Sequence, residues 1–240
     1  MIFIGLKIIL KTKIHRIIKW NMNDIYQLSA NVIVQAYRAG IFPMAQSSDD
    51  PDIFWVSPEK RGIIPLDGFH ISKSLKKAIK NSNFEIKIDN DFAAIIHSCA
   101  NFGTARETTW INPTIISLYS ELFEQKICHT VEVYQNEKLV GGLYGLSIGG
   151  AFFGESMFHT ATNASKVALA CLVRRLQIGG YILLDTQFIT DHLVSMGGIE
   201  ISRDDYLSRL DNALKTDANF YRSAGGRILL DCLQSSSQTS

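Results

Sequence analysis

Apolar residues recur along this chain with two periods, and the changes from one period to the other predict its elements. From Ile25 to Ala39 they suit a helix, which Gly40 and Pro43 would end. The stretch from Ala45 to Pro58 gathers Ser47, Ser48, Asp49, Asp50 and Pro51 and reads as a loop, with a domain boundary expected near Pro58. Further on, Ser72 can cap a helix running through Lys80, and FEIKI (84–88) reads as a strand. Phe92, Ile95, Ile96 and Cys99 return to helical spacing. Asn112 before Pro113 is a helix start with proline at its first position, its apolar face being Ile115, Leu118, Tyr119 and Leu122.

A β-rich block follows. Val131 and Val133 alternate with Thr130, Glu132 and Tyr134, QNEK turns, KLVGGLYGLSI returns, Gly149-Gly150 turns again, and AFFGESMF follows, which predicts an antiparallel meander. The next helix carries Leu169, Leu172, Val173 and Leu176 on one face and stops at Gly179-Gly180. YILLDTQF (181–188) reads as a buried strand, and a helix with a strand or loop closes the domain. A meander, a helix and one more strand suggest the α+β acyltransferase architecture of the N-acetyltransferases. Those enzymes hold the CoA pyrophosphate on a glycine-rich turn at the N-terminus of the helix after the meander. Here that turn reads FHTATNASK and lacks glycine, which argues against CoA as donor.

Composition narrows the choices. With 240 residues and 46% apolar content the chain can bury a real core in one large domain, or in a core domain with a small appendage. Lys+Arg 24 against Asp+Glu 23 leaves it nearly neutral, so a nucleic-acid partner has to be met by a local basic patch. Cys99, Cys128, Cys171 and Cys232 form no C-x-x-C pair, which fits buried thiols in a reducing compartment and argues against zinc or a disulfide framework. The metal, nucleotide and dinucleotide signatures are absent. Residues 1–22 are basic and apolar, with Lys7, Lys11, Lys13, Arg16 and Lys19 and no acid before Asp24. They are too interrupted to span a bilayer and carry no cleavage signal. A membrane-surface helix is one reading; a dispensable extension, with Met22 the working start, is the favoured one. Only the tail, 233–240, is expected to be disordered.

Three residues stand where chemistry gathers. Glu155 in GESMF sits where a meander strand should end, and Asp185 and Gln187 in LLDTQF sit at the end of the buried strand. Asp185, after an apolar run, needs a partner, and Gln187 lies two residues on along the same strand face. Spacing alone leaves catalytic and structural roles equally open. The helix from Ser72 gathers Lys73, Lys77 and Lys80 on one face with Lys76 beside them, either a solvated surface or a track for a phosphate backbone. Trp110 could stack on a base or fill core.

From about Tyr26 to Leu210 the chain resembles the leucyl/phenylalanyl-tRNA–protein transferase family. The resemblance is carried by AYRAGIFP (36–43), FWVSPEKRGIIPL (54–66), HISKSLKK (70–77), ETTWI (107–111), VEVYQNEKLVGGLYG (131–145), FFGESMFHTATNASKVAL (152–169) and LLDTQFITDHLVSMGGIEISRDDYL (183–207). It implies a small N-terminal domain (23–58) packed on an acetyltransferase-like domain (59–232). It also implies a cytoplasmic enzyme that moves leucine, phenylalanine or methionine from aminoacyl-tRNA to proteins with N-terminal Lys or Arg, marking them for degradation, without cofactor or metal. By that resemblance Asp185 and Gln187 form a relay that draws the acceptor's proton, and Glu155 orients amino groups. Leu143, Met157, Leu169, Leu172, Leu176 and Leu184 line the donor pocket. Lys73, Lys77 and Lys80 meet the acceptor stem, Trp110 stacks on the terminal adenosine, and Tyr37 and Tyr119 lie near the site. Two positions depart from some members: Met44 replaces a tryptophan after GIFP, and Thr190 replaces an asparagine. The alternatives are an acetyltransferase-fold enzyme with another acyl donor and a non-catalytic RNA-binding module.

Overall fold

The computed structural model describes residues 28–101 and 109–222. The basic extension, the tail and Cys232 therefore lie outside the described residues. Ser29 caps the first helix, α1 (Ala30–Arg38), by accepting from Val32 N. The helix predicted from Ile25 thus keeps its end but begins at Ala30, with residues 25–27 outside the described part. Strands β1 (Phe42–Met44) and β2 (Phe54–Val56) pair antiparallel, so the stretch read as a loop carries a strand at its end. The polar run from Ser47 to Asp52 is the connection between them.

The main sheet has seven strands among the described residues, in the order β4-β5-β6-β7-β8-β3-β9. The predicted meander is β5 (Cys128–Gln135), β6 (Lys138–Ile148) and β7 (Ala151–His159), with β4 (Phe84–Ile88) on its outer edge. Helix α5 (Ala164–Gly179) then crosses over and returns the chain to β8 (Leu183–Gln187), which is parallel to β7. Gly180, at φ 82, ends α5 in the left-handed conformation that glycine adopts at least cost. This is the mixed α+β sheet that the order of elements predicts.

Strand β3 (Lys60–Ile63) was not among the predicted elements. It is met early in the chain, yet it sits between β8 and β9 (Ile199–Ser202) and is antiparallel to both. Its register with β8 slips at Gly62, where a Cβ would stand 2.6 Å from the backbone carbon of Phe188. Only glycine lets the two strands approach that closely.

Two apolar layers cover the sheet. On one face α5 and α2 (Lys73–Asn81) pack Leu75, Ile79, Leu169, Leu172 and Leu176 against Leu143 and Leu184. Ser72 caps α2 by accepting from Leu75 N, as its position predicts. On the other face lie α1, α3 (Phe92–Asn101), α4 (Pro113–Glu124) and α7 (Arg203–Leu214), around Tyr37, Tyr119, Tyr144, Phe153 and Tyr206. Asn112 caps α4 as expected, accepting from Ile115 N at 2.8 Å. Cys99, Cys128 and Cys171 are buried. No helix among the described residues is long and apolar enough to cross a membrane.

Candidate active site

The site begins where β7 and β8 separate. Their parallel pairing covers Ala151–Phe153 against Leu183–Asp185. Past it, Gly154, Glu155, Ser156 and Met157 on one strand and Thr186, Gln187 and Phe188 after the other line a cleft of about 840 Å³, mouth included. A Cβ on Gly154 would meet only Asp185 O, at 3.5 Å, so the gap is open there. The cleft joins the two layers. Leu143, Met157, Leu169, Leu172 and Leu184 line it from the α5 side, and Phe42, Met44, Trp110 and Tyr144 from the other.

Five of the six residues expected in a donor pocket therefore line one cleft. Leu176 does not; it lies one turn beyond Leu172 and is sealed in the core, and the shared helix face misled because the cleft ends before it. Met44 and Trp110 also line the cleft, both from the layer opposite α5. Thr190 also faces it, and its hydroxyl accepts from Leu193 N to cap the short helix α6 (Asp191–Val194). Lys73, Lys77 and Lys80 are exposed along α2, which packs on α5 through Leu75 and Ile79.

Asp185 has no exposure and does not line the cleft. Its partner is Arg61 of β3, which donates from Nε to Oδ1 at 2.9 Å and from Nη2 to Oδ2 at 2.6 Å. Tyr206 Oη donates to Oδ2 at 2.8 Å, and Gln187 N donates to Oδ1 at 2.8 Å. The guanidinium lies between the rings of Phe42 and Tyr206, 4.5 and 4.4 Å from their centroids, and its Nη1 donates to Gly40 O. Burial opposes its charge, but Asp185 beside it more than compensates and raises its pKa further. Sequence reasoning missed Arg61. Its signal was an arginine between a polar segment and an apolar run in EKRGIIPL, with nothing local to name its partner.

The expected contact between Asp185 and the Gln187 side chain is thus replaced by one to the Gln187 backbone. That bond accompanies a left-handed backbone, φ 57, which is costly for a residue with a side chain and concentrates at working sites. The Gln187 side chain lines the cleft, and its Nε2 finds no hydrogen-bond partner among the described residues.

Glu155 faces the cleft from β7. Tyr37 and Tyr119 do not line the cleft but reach Glu155 from behind, at 2.6 and 3.2 Å, and their hydroxyls lie 2.6 Å apart. Burial is the main cause that pushes the Glu155 carboxyl up to about 8, against the two phenols that favour its ionised form. Burial and the nearby Glu155 also raise both tyrosines. No group of His, Cys, Asp and Glu among the described residues is placed to hold a metal ion.

The site is thus an apolar cleft at a strand fork in an α+β sheet, able to hold an apolar group beside one carboxyl and one amide that has no partner among the described residues. Residues 63–211 match the leucyl/phenylalanyl-tRNA protein transferase family and residues 26–59 its N-terminal domain. A leucyl/phenylalanyl-tRNA–protein transferase from Cereibacter sphaeroides is 51% identical over 89% of this chain and 98% of that protein. One from Ruegeria sp. is 53% identical over 82% and 92%. The chain belongs to the leucyl/phenylalanyl-tRNA protein transferase family, and is an aminoacyltransferase by that membership. Among solved structures, L-PGS from Bacillus licheniformis aligns at a TM-score of 0.38 and 13% identity, over 71% of this chain and 56% of that one, too distant to bear on fold or function.

Proposed function

We propose that this member of the family transfers leucine or phenylalanine from aminoacyl-tRNA to the α-amine of proteins with N-terminal Lys or Arg, at the fork between β7 and β8. The observation that carries this is the Gln187 amide, which lines the cleft and has no hydrogen-bond partner among the described residues. A buried donor without a partner costs stability, so its retention points to a ligand acceptor. The ester carbonyl of the donor is such an acceptor, and its oxygen gains charge as the amine attacks.

The leucine half of the cleft takes the donor side chain. The Trp110 and Met44 half takes the terminal adenosine, with the indole stacking and the flexible thioether opposing it. Lys73, Lys77 and Lys80 lie on a helix packed against the pocket wall, and extend the site toward the acceptor stem. Asp185 fixes Gln187 through its backbone and is a positioning residue. The chain divides near Pro58, residues 23–58 supplying Tyr37 and Met44 to a site built mainly on residues 59–232. The dependence on charged tRNA as donor supports a cytoplasmic reaction.

The test is incubation with radiolabelled Leu-tRNA and an Arg-initiated acceptor. Label in the acceptor is expected. An acetyltransferase-fold enzyme with another donor, or a module that only binds RNA, would leave the acceptor unlabelled.

A further inference from the structure

Behind the cleft three side chains meet at three short O···O separations. Tyr37 Oη lies 2.6 Å from Tyr119 Oη and 2.6 Å from Glu155 Oε1, and Tyr119 Oη lies 3.2 Å from Glu155 Oε2. Each hydrogen bond needs a proton, and each phenol carries one. With Glu155 ionised, the two phenol protons would have to serve all three separations. One pair would then face each other bare: two phenol oxygens at 2.6 Å, or a phenol lone pair against a carboxylate. A proton on the carboxyl closes the ring. Oε2–H donates to Tyr119, Tyr119 to Tyr37, and Tyr37 to Oε1, so that every donor has an acceptor.

The surroundings agree with that count. Burial is the largest influence on Glu155; the Tyr37 hydrogen bond comes next and opposes it, Asp185 of β8 adds to it, and Tyr119 and Arg61 of β3 oppose it by less. Cys128 of β5 and Tyr144 of β6 lie near the group, and burial is the main cause that raises the pKa of each.

Resting on the aminoacyl-transfer reading above, we propose that Glu155 enters the reaction as a neutral acid and exchanges one proton for another. It gives its own to the departing ribose oxygen and takes one from the attacking nitrogen. A carboxylate at this place would hold the acceptor amine as an ammonium ion, which has no lone pair to attack with. A neutral carboxyl leaves that lone pair free. The amine nitrogen bonds to the ester carbon, and the carbonyl electrons move onto the oxygen facing Gln187. They return as the bond to the ribose oxygen breaks, and that oxygen takes the carboxyl proton. The carboxylate so formed then takes the surplus proton from nitrogen. An amide, a ribose hydroxyl and a neutral Glu155 remain, so atoms and charge balance and the ring is restored. For this the Oε2–H bond turns from Tyr119 toward the ribose oxygen as that oxygen gains charge, so the ring opens during the step and closes again when the proton from nitrogen arrives. Tyr37 and Tyr119 are the positioning residues of this exchange.

Glu155→Gln is the discriminating variant. Its amide can fill the ring, with N–H donating to Tyr119 and C=O accepting from Tyr37, but it cannot exchange a proton. The expected result is an intact fold, a donor KM within roughly threefold, and a kcat lower by about 10²-fold or more. Infrared difference spectra of the full chain should show a protonated carboxyl band at neutral pH. The band should fade as pH rises through about 8 and be missing from the variant. A wild-type carboxyl already ionised well below neutral pH would overturn the proposal, as would a folded variant with near-normal kcat. A wild-type protein that transfers no leucine at all would overturn the parent reading, a different result from either.

Discussion

Asp185 and Glu155 sit on neighbouring parallel strands, at the same fork, and meet opposite fates. Asp185 is closed off from the cleft and faces a guanidinium with two aligned N–H groups. Glu155 opens onto the cleft and faces two phenols, which offer hydrogen bonds without a positive charge. The first carboxyl is matched as an anion. The second is pushed up to about 8 because burial outweighs what phenols can give back. What distinguishes the two is the formal charge of the partner more than depth: one carboxyl is fixed in an ion pair, and the other has a raised pKa.

The largest break in this contrast should come from Arg61→Met. It leaves the buried Asp185 without its cation, with only Tyr206 and the Gln187 N–H as donors, at a cost of about 3–5 kcal/mol in urea unfolding. Adding Asp185→Leu removes the stranded charge and should recover much of that loss. If the double variant is no better than the single one, the ion pair does not account for Arg61's contribution.

Next in size is what the locked carboxyl is for. If Asp185 serves to aim Gln187, then Gln187→Ala should lower kcat by about 10²–10³-fold, the scale for losing one oxyanion donor, with donor affinity unchanged. A defect confined to tRNA affinity would place Gln187 outside the chemistry.

The open carboxyl is probed by pH and stability. Glu155 keeps its proton in the folded protein up to about 8, whereas the unfolded chain releases it near 4.5. The folded state therefore binds the extra proton between these values. The resulting stability is complete below about 4.5, drains as pH rises toward 8, and is flat beyond. Wild type should lose Tm relative to Glu155→Gln between pH 5 and pH 8. Parallel curves would mean that Glu155 is ionised in the native state.

The smallest effect belongs to a change that touches neither carboxyl. Leu172→Trp fills the leucine half of the cleft and should shift donor preference from phenylalanine toward leucine by roughly 10-fold or more, the scale for misfit in an apolar pocket. Unchanged selectivity would return Leu172 to the core.

Much of the frame was legible because it is written locally. The meander follows from alternation within Val131–Tyr134 and from paired turns, α4 from Asn112-Pro113, and α2 from Ser72. The β1 and β2 strands were hidden, since three residues give alternation no room and a proline lies inside β1. Strand β3 was hidden because KRGI opens with two charged residues, and Arg61 is buried only where β8 and β9 flank the strand. Asp185 and Gln187 stood out at the end of an apolar strand; Glu155, expected at a strand end, lies instead in the middle of β7, and what each carboxyl faces depends on Arg61, Tyr37 and Tyr119. Those partners lie 124, 118 and 36 positions away along the chain, and no local pattern names them.

The place of β3 also bears on how the molecule is made. It is synthesised before every other strand of the main sheet, yet both of its neighbours, β8 and β9, come last. Until residues 183–202 have left the ribosome, Gly62 has no strand to lie against and Arg61 has no anion to face. Closing so long a loop is slow and comes late, after the local meander can already have formed. The nascent chain should therefore hold a folded centre and an unmatched arginine, and become a working site only when the final strands dock on either side of β3.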